Sequence, residues 1–231
     1  MTSASPQARD RGFTLVEMLV AISLLAIVST LITTLVVTVS QTFTREESEQ
    51  DSSRTAAVGM QQVTRIIRAG AEIPLSSVWQ ALPAFESARA DSLILNTYLD
   101  TETTANGPTR IRLELSSARE LVETRWSAQR SGGDWVYRTT PARTHVVVRD
   151  VVRQGSALAQ GVAPPMFIYL RANGTEITPP SGGALTEAQR REIAAVRVSL
   201  AVQTAPGSDA SATQLVSTVA LPSVGLTRTG L

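Results

Sequence analysis

Glu17 is the first residue whose setting asks for chemistry. It is the only formally charged side chain in "FTLVEMLVAISLLAIVSTLITTLVVTVSQTF", the stretch from Phe13 to Phe43. An acid at the centre of a membrane helix costs about 2.5–3.5 kcal/mol, and less near an end. Such acids usually have a partner, and the nearby cations, Arg9 and Arg11, lie upstream. Cutting the peptide bond between Gly12 and Phe13 would create a new α-amine on Phe13. Residues four apart share one helix face, so that amine and the Glu17 carboxylate could pair within one chain. In a packed assembly the carboxylate could instead meet the amine of a neighbouring chain. Either pairing offsets desolvation, and the second also fixes an axial register between chains.

Other residues offer weaker chemistry. His145 is the only histidine, and no nucleophile is recognisable beside it, so it reads as a strand-edge residue rather than a general base. With no cysteine and one histidine, a zinc site has little support. "DTETTANG" concentrates oxygen ligands, and Asp100 and Glu102 could contribute to a calcium site. Its spacing matches no EF-hand loop, so it is taken as a solvated loop with no metal. Arg110, Arg112, Trp126 and Trp135 combine guanidinium groups with aromatic rings, which can bind single-stranded nucleic acid by phosphate contact and stacking. Alternation along a strand would instead turn the arginines to water and bury the aromatics, and that is the reading adopted. No cofactor is expected, and no enzymatic activity.

The elements that carry these residues follow from hydropathy and period. As a helix, residues 13–43 would extend about 46 Å, more than the ~30 Å of a hydrocarbon core. The run is too long for a secretory signal peptide, and no signal-peptidase site follows it. Arginines precede it, which predicts a cytoplasmic N-terminus and an external C-terminal domain. The 231-residue chain suits one such segment plus one globular domain. Its formal charge is +1, and all its basic residues are arginine. Without the head before Phe13 the remainder is formally neutral, which argues against binding nucleic acid by field strength alone. Beyond Phe43, Ala56, Met60, Val63 and Ile67 recur at helical spacing beside a row of Gly59, Val63, Ile66 and Gly70. That face should pack on a sheet, with Gly59 allowing close approach of a strand and Gly70 stopping the helix.

After Pro74 the period becomes two. "RIRLEL" alternates apolar and charged residues as a half-buried strand does. "DSLILNTYL", "ELVETRW", "DWVYRTT" and "THVVVRDVV" read as further strands separated by turns. "MFIYLRANGTEI" carries an Asn173-Gly174 hairpin signal. "EIAAVRVSLAVQT" and "TQLVSTVALPSV" predict a closing antiparallel pair, and "ALTEAQRRE" a helical turn. The fold class is α+β.

"RGFTLVEMLVAI" resembles the prepilin-type cleavage and methylation motif of type IV pilins and type II secretion pseudopilins. The resemblance implies cleavage after Gly12 by prepilin peptidase, methylation of Phe13, and pairing of Glu17 with a neighbour's N-terminus during assembly. It implies a pilin-like fold: a leader over 1–12, a transmembrane and filament-core helix over 13–43, an amphipathic continuation over 44–70, and a strand-rich external domain over 71–231. The later order of signals is similar to minor pilins and minor pseudopilins. The function then expected is a structural subunit of a type IV pilus or type II secretion filament, serving motility, DNA uptake or secretion. Its partners would be other pilins or pseudopilins, prepilin peptidase, the inner-membrane assembly platform and membrane lipid, with DNA unsupported by the residues. It would reside in the inner membrane with its C-terminal domain periplasmic, then in a filament or at the cell surface. The chain departs from many major pilins in having no proline between Phe13 and Ile73 and no cysteine for a C-terminal disulfide loop. Thr33 and Thr34 could still let the helix flex by bonding to the preceding turn. The competing reading is a single-pass, membrane-anchored binding or sensory domain that does not polymerise.

Overall fold

The long apolar run and the amphipathic stretch after it form one helix, α1 (Leu15–Arg68), in a computed structural model that describes residues 14–75, 81–99, 107–158, 161–203 and 212–222. Gly12 and Phe13 lie outside the described residues, as do Asp100 and Glu102. The chain divides into two compact units, Met1–Glu46 and Glu47–Leu231, and α1 contributes to both.

In the first unit the apolar side chains of α1, among them Leu15, Leu25 and Leu35, are exposed. Most of its hydroxyls bond back to the helix. Ser23 donates to the Leu19 carbonyl at 2.8 Å, Thr30 to Ala26 at 2.8 Å, Thr33 to Ser29 at 2.8 Å and Thr34 to Thr30 at 2.9 Å. Thr38, Thr42 and Thr44 bond back in the same way. These bonds satisfy polar groups within the segment, which a hydrocarbon environment requires. The helix passes through Thr33 and Thr34 without interruption.

In the second unit the end of α1 covers a sheet-built core. Ala56, Gly59, Met60, Val63, Ile66 and Ile67 are buried, the periodic face of the sequence. Gly59 sits where a side chain has no room: an added Cβ would fall 2.0 Å from Val148 Cγ2 and 3.3 Å from Leu200 Cδ2. Gly70 serves the same end. Its backbone has no left-handed φ, but a Cβ there would meet Leu221 Cδ2 at 2.9 Å and the Ile67 carbonyl oxygen at 3.0 Å. It ends the helix through a bridge to Thr97.

The strands of the second unit are β1 (Phe85–Ala88), β2 (Ser92–Thr97), β3 (Thr109–Leu115), β4 (Leu121–Ser131), β5 (Asp134–Tyr137), β6 (Arg143–Val148), β7 (Ala157–Leu158), β8 (Gly161–Val162), β9 (Phe167–Leu170), β10 (Glu176–Ile177), β11 (Ala195–Val202) and β12 (Thr213–Ala220). One short helix, α2 (Glu187–Arg191), precedes β11. A six-stranded antiparallel sheet runs β1-β2-β3-β4-β5, with β6 also paired to β4. A four-stranded antiparallel sheet runs β10-β9-β11-β12, and β7 pairs with β8. Val151 bridges to Val202, so the segment after β6 joins the margin of the second sheet. Leu93, Leu95, Ile111 and Leu113 of the first sheet and Phe167, Tyr169, Val198 and Leu200 of the second share one core with α1.

Turn chemistry sets the registers. Gly132 and Gly133, both at positive φ, close the β4–β5 hairpin between Ser131 and Asp134. Gly174 at φ 81° follows Asn173 in the β9–β10 turn, where Asn173 Oδ1 accepts from the Thr175 backbone N–H at 3.0 Å. Thr186 and Gln189 form a reciprocal capping box at α2.

Candidate functional site

Two places gather the residues whose chemistry the sequence singled out. The first is the start of α1. Thr14 precedes the helix, and its Oγ1 accepts the Glu17 backbone N–H at 3.3 Å, while its carbonyl accepts from the Met18 N–H at 3.2 Å. Thr14 is therefore the N-cap and Glu17 the third helical residue, the spacing of a capping box. Sequence reasoning took Thr14 only as part of a motif, although Thr-x-x-Glu before an apolar run carries this signal. The position also places a carboxylate in the first turn, where the helix dipole favours negative charge. The Glu17 side chain is exposed, and no salt bridge among the described residues uses it.

The second place is a face of the six-stranded sheet. Arg110 on β3 lies directly across from Trp126 on β4, and its guanidinium sits 5.0 Å from the Trp126 ring and 5.0 Å from the Tyr137 ring. Arg112 stands 5.5 Å from Trp126. Trp135 does not join this group. It stacks with Arg130 at 4.8 Å and lies against Gly107, where a Cβ would come 2.9 Å from the ring. The arginines and aromatics thus share one face, contrary to the expectation that alternation would separate them. The reason is register: the cross-strand partner of Arg110 is Trp126 itself.

This face is largely engaged within the chain, with the buried Arg112 Nε making no hydrogen bond of its own. Arg110 pairs with Glu86 at 3.5 Å and Arg112 with Glu114 at 3.4 Å. Tyr137 donates its hydroxyl to Asn96 Oδ1 at 2.7 Å. Burial pushes the Tyr137 phenol well above its ordinary range and the Glu86 carboxylate adds to the shift, while Arg110 opposes it. Cations held over rings and beside carboxylates are committed to the fold, which removes the charge surplus that phosphate binding needs.

Beneath that sheet is a buried charge cluster that sequence reasoning missed. Glu123 on β4 has 0% exposure and pairs with the Arg125 guanidinium. Its Oε2 also lies 3.3 Å from His145 Nε2 on β6 and accepts from Gln62 Nε2 of α1 at 3.2 Å. Three elements therefore meet on one carboxylate, and His145 is a partner in that network as well as a residue of an edge strand. A signal existed: in "ELVETRW" Glu123 falls two residues after the buried Leu121, on the inward phase of the strand.

Elsewhere a cavity of about 550 Å³ is lined by residues including Arg89, Asp91, Phe167, Glu176 and Pro180. Its charged groups have internal partners: Arg89 donates to the Gly182 carbonyl at 3.0 Å, and Glu176 accepts from Arg197 at 2.6 Å. Among the described residues no cluster of histidine, cysteine, aspartate and glutamate is arranged to hold a metal ion.

The family model described as the prokaryotic N-terminal methylation motif matches residues 7–33. That match spans the Gly12-Phe13 step, Thr14, Glu17 and the first half of the apolar helix. With α1 leading into antiparallel sheets, the match supports a type IV pilin-like substrate of prepilin peptidase whose N-terminal helix is long and apolar enough to anchor it in a membrane. Assembly with other pilins is what the motif implies, and the family is structural rather than enzymatic. No curated protein and no solved structure matches the chain.

Proposed function

We propose that the chain is a minor pilin or minor pseudopilin, a non-catalytic subunit of a type IV pilus or type II secretion filament. Residues 1–12 are the cytoplasmic leader, residues 13–43 the segment that exchanges lipid for the filament core, residues 44–70 its amphipathic continuation, and residues 71–231 the external domain. The peptidase cuts after Gly12 and the new N-terminus of Phe13 is methylated. The Glu17 carboxylate then pairs with the Phe13 amine of a neighbouring subunit, setting axial register while apolar contacts supply most of the assembly energy. The inner-membrane assembly platform receives the cut chain.

The observation that carries this reading is the motif over residues 7–33, continued by a helix whose apolar side chains are exposed and whose threonine hydroxyls from Thr30 to Thr44 bond back within the helix. Intact-mass measurement of the protein purified from its native membrane tests it. The expected mature chain begins at N-methylated Phe13, with Met1 to Gly12 gone. A mature chain that retains Arg9 to Gly12 would return the protein to the class of simple anchored domains.

A further inference from the structure

The outward face of α1 in the second unit carries its charges in a fixed order. Opposite the buried row, Glu47, Asp51, Arg54, Val58, Arg65 and Arg68 follow one stripe at helical spacing, and all are exposed. The end nearer the apolar segment is acidic, at Glu47 and Asp51, and the far end is basic, at Arg65 and Arg68. Val58, 61% exposed, lies between them. Among the described residues none of these charged groups enters an ion pair, and Arg65 spends one N–H on Gln62 Oε1 at 3.1 Å. Beside the basic end a recess of about 500 Å³ is lined by Gln61, Thr64, Arg65, Arg68, Ala69 and Leu99, a described lining with two guanidinium groups and no carboxylate.

We infer that this stripe is a contact with a second copy of the chain, the two helices lying parallel, in which Glu47 and Asp51 of one copy enter that recess and meet Arg65 and Arg68 of the other. The register follows from helical geometry. Eighteen residues make five turns of 3.6, so an offset of eighteen keeps stripe against stripe at an axial shift of about 27 Å. Glu47 then lies level with Arg65, and Asp51 within one residue of the level of Arg68. Other whole-turn offsets fare worse. With no offset every charge meets its like. An offset of four sets Glu47 against Asp51, one of eleven sets Arg54 against Arg65, and one of fourteen sets Arg54 against Arg68. An offset of seven gains only Glu47 against Arg54, and one of twenty-one only Glu47 against Arg68. The offset of eighteen alone joins two opposite pairs along the stripe and opposes no like charges.

The occupant is a second copy because the two complementary patches are the two ends of one stripe. Such a contact is heterologous, one patch on a different patch, and it repeats from copy to copy as in an open filament. Parallel helices also lead both apolar segments the same way. Copies lodged in one bilayer share a level, and a shift of about 27 Å is close to the whole ~30 Å hydrocarbon core. The contact therefore forms as one copy is drawn past the next, and it rests on the filament reading above.

The chain has no lysine, so R65K keeps the charge and places a single lysine amine in the protein. Full-length R65K is expressed in its native cells, and the sheared filament fraction is treated with a water-soluble carbodiimide, which joins an amine to a carboxylate in direct contact. A covalent homodimer is expected, with peptide mapping placing the new bond between the introduced lysine and Glu47. Adding E47Q should lower its yield about tenfold or more. In the parent background, E47R alone and R65E alone should each reduce the chain's share in filaments about threefold or more. The double variant E47R/R65E should recover that share, and E47R/R54E should not. Filaments that contain R65K but yield no joined dimer, or a dimer indifferent to E47Q, would overturn the inference and leave the filament reading standing. A bond from the introduced lysine to a different protein would do the same. Parent chains found only in the membrane with the leader retained would remove the filament reading and this contact together.

Discussion

At the residue scale, Glu17 combines two features that pull in opposite directions. As the third residue of a capped helix it holds a charge where the backbone N–H groups favour one. As the lone charge of an apolar segment it must lose water when that segment is packed. Thr14 caps the helix through the backbone of Glu17 rather than its side chain, so the carboxylate remains available for the pairing proposed above. Glu17→Ala should therefore leave the cap, and with it membrane insertion, intact. Removing one member of a desolvated pair should nevertheless lower filament incorporation by about tenfold or more. Comparing the variant's share in the sheared filament fraction with its share in the membrane fraction checks this. Equal incorporation of variant and parent would remove the register role.

At the element scale, the decisive contact is the close approach of α1 to the sheets at Gly59. The Cβ of alanine would overlap Val148 Cγ2, and Leu200 stands just beyond, so neither side can retreat freely. Gly59→Ala should cost about 1–3 kcal/mol, despite alanine's better helix propensity. Chemical denaturation of the detergent-solubilised chain measures it, and adding Val148→Ala should recover most of the loss. The same elements show what the sequence discloses and what it does not. The buried row Ala56, Met60, Val63 and Ile67, the alternation of β3, the Gly132-Gly133 and Asn173-Gly174 hairpins and the α2 helical turn were legible because each is encoded within a few adjacent residues. β1 was not, since "FESA" is four residues with little pattern. Nor was the division into two sheets, or the Glu123 cluster, because Gln62, Glu123 and His145 meet only through tertiary pairing. The Arg110–Trp126 stack depended on the β3–β4 register, which alternation alone leaves open. At the candidate site the Gly12-Phe13 step and Glu17 were legible as a motif, and the Thr14 cap was legible in its spacing.

At the scale of the whole molecule, α1 is a single covalent element that belongs to two solvents. Up to Glu46 its apolar surface is exposed and contributes nothing to the core. From Ser52 onward its inward face is buried by strands of both sheets. Every residue of that core lies at or after Ala56, so the energy that folds the second unit is contained in it. A chain beginning at Glu47 should accordingly fold as a water-soluble domain, with the unfolding midpoint of the full chain's second unit, provided α1 keeps enough turns to nucleate. Nucleation is the exacting condition, since isolated helices shorter than about 12–15 residues are marginal in water. The stretch from Glu47 to Arg68 exceeds that length and gains tertiary contacts. A second truncation beginning at Gln61 would remove Ala56, Gly59 and Met60 from the core, and it should be unfolded or severely destabilised by loss of that packing. Circular dichroism melts of the two truncations, read beside their partition between membrane and soluble fractions, separate anchoring from folding. The first should be folded and soluble, the second unfolded. If the chain beginning at Glu47 failed to fold, the membrane segment would be part of the domain's stability and not only its anchor.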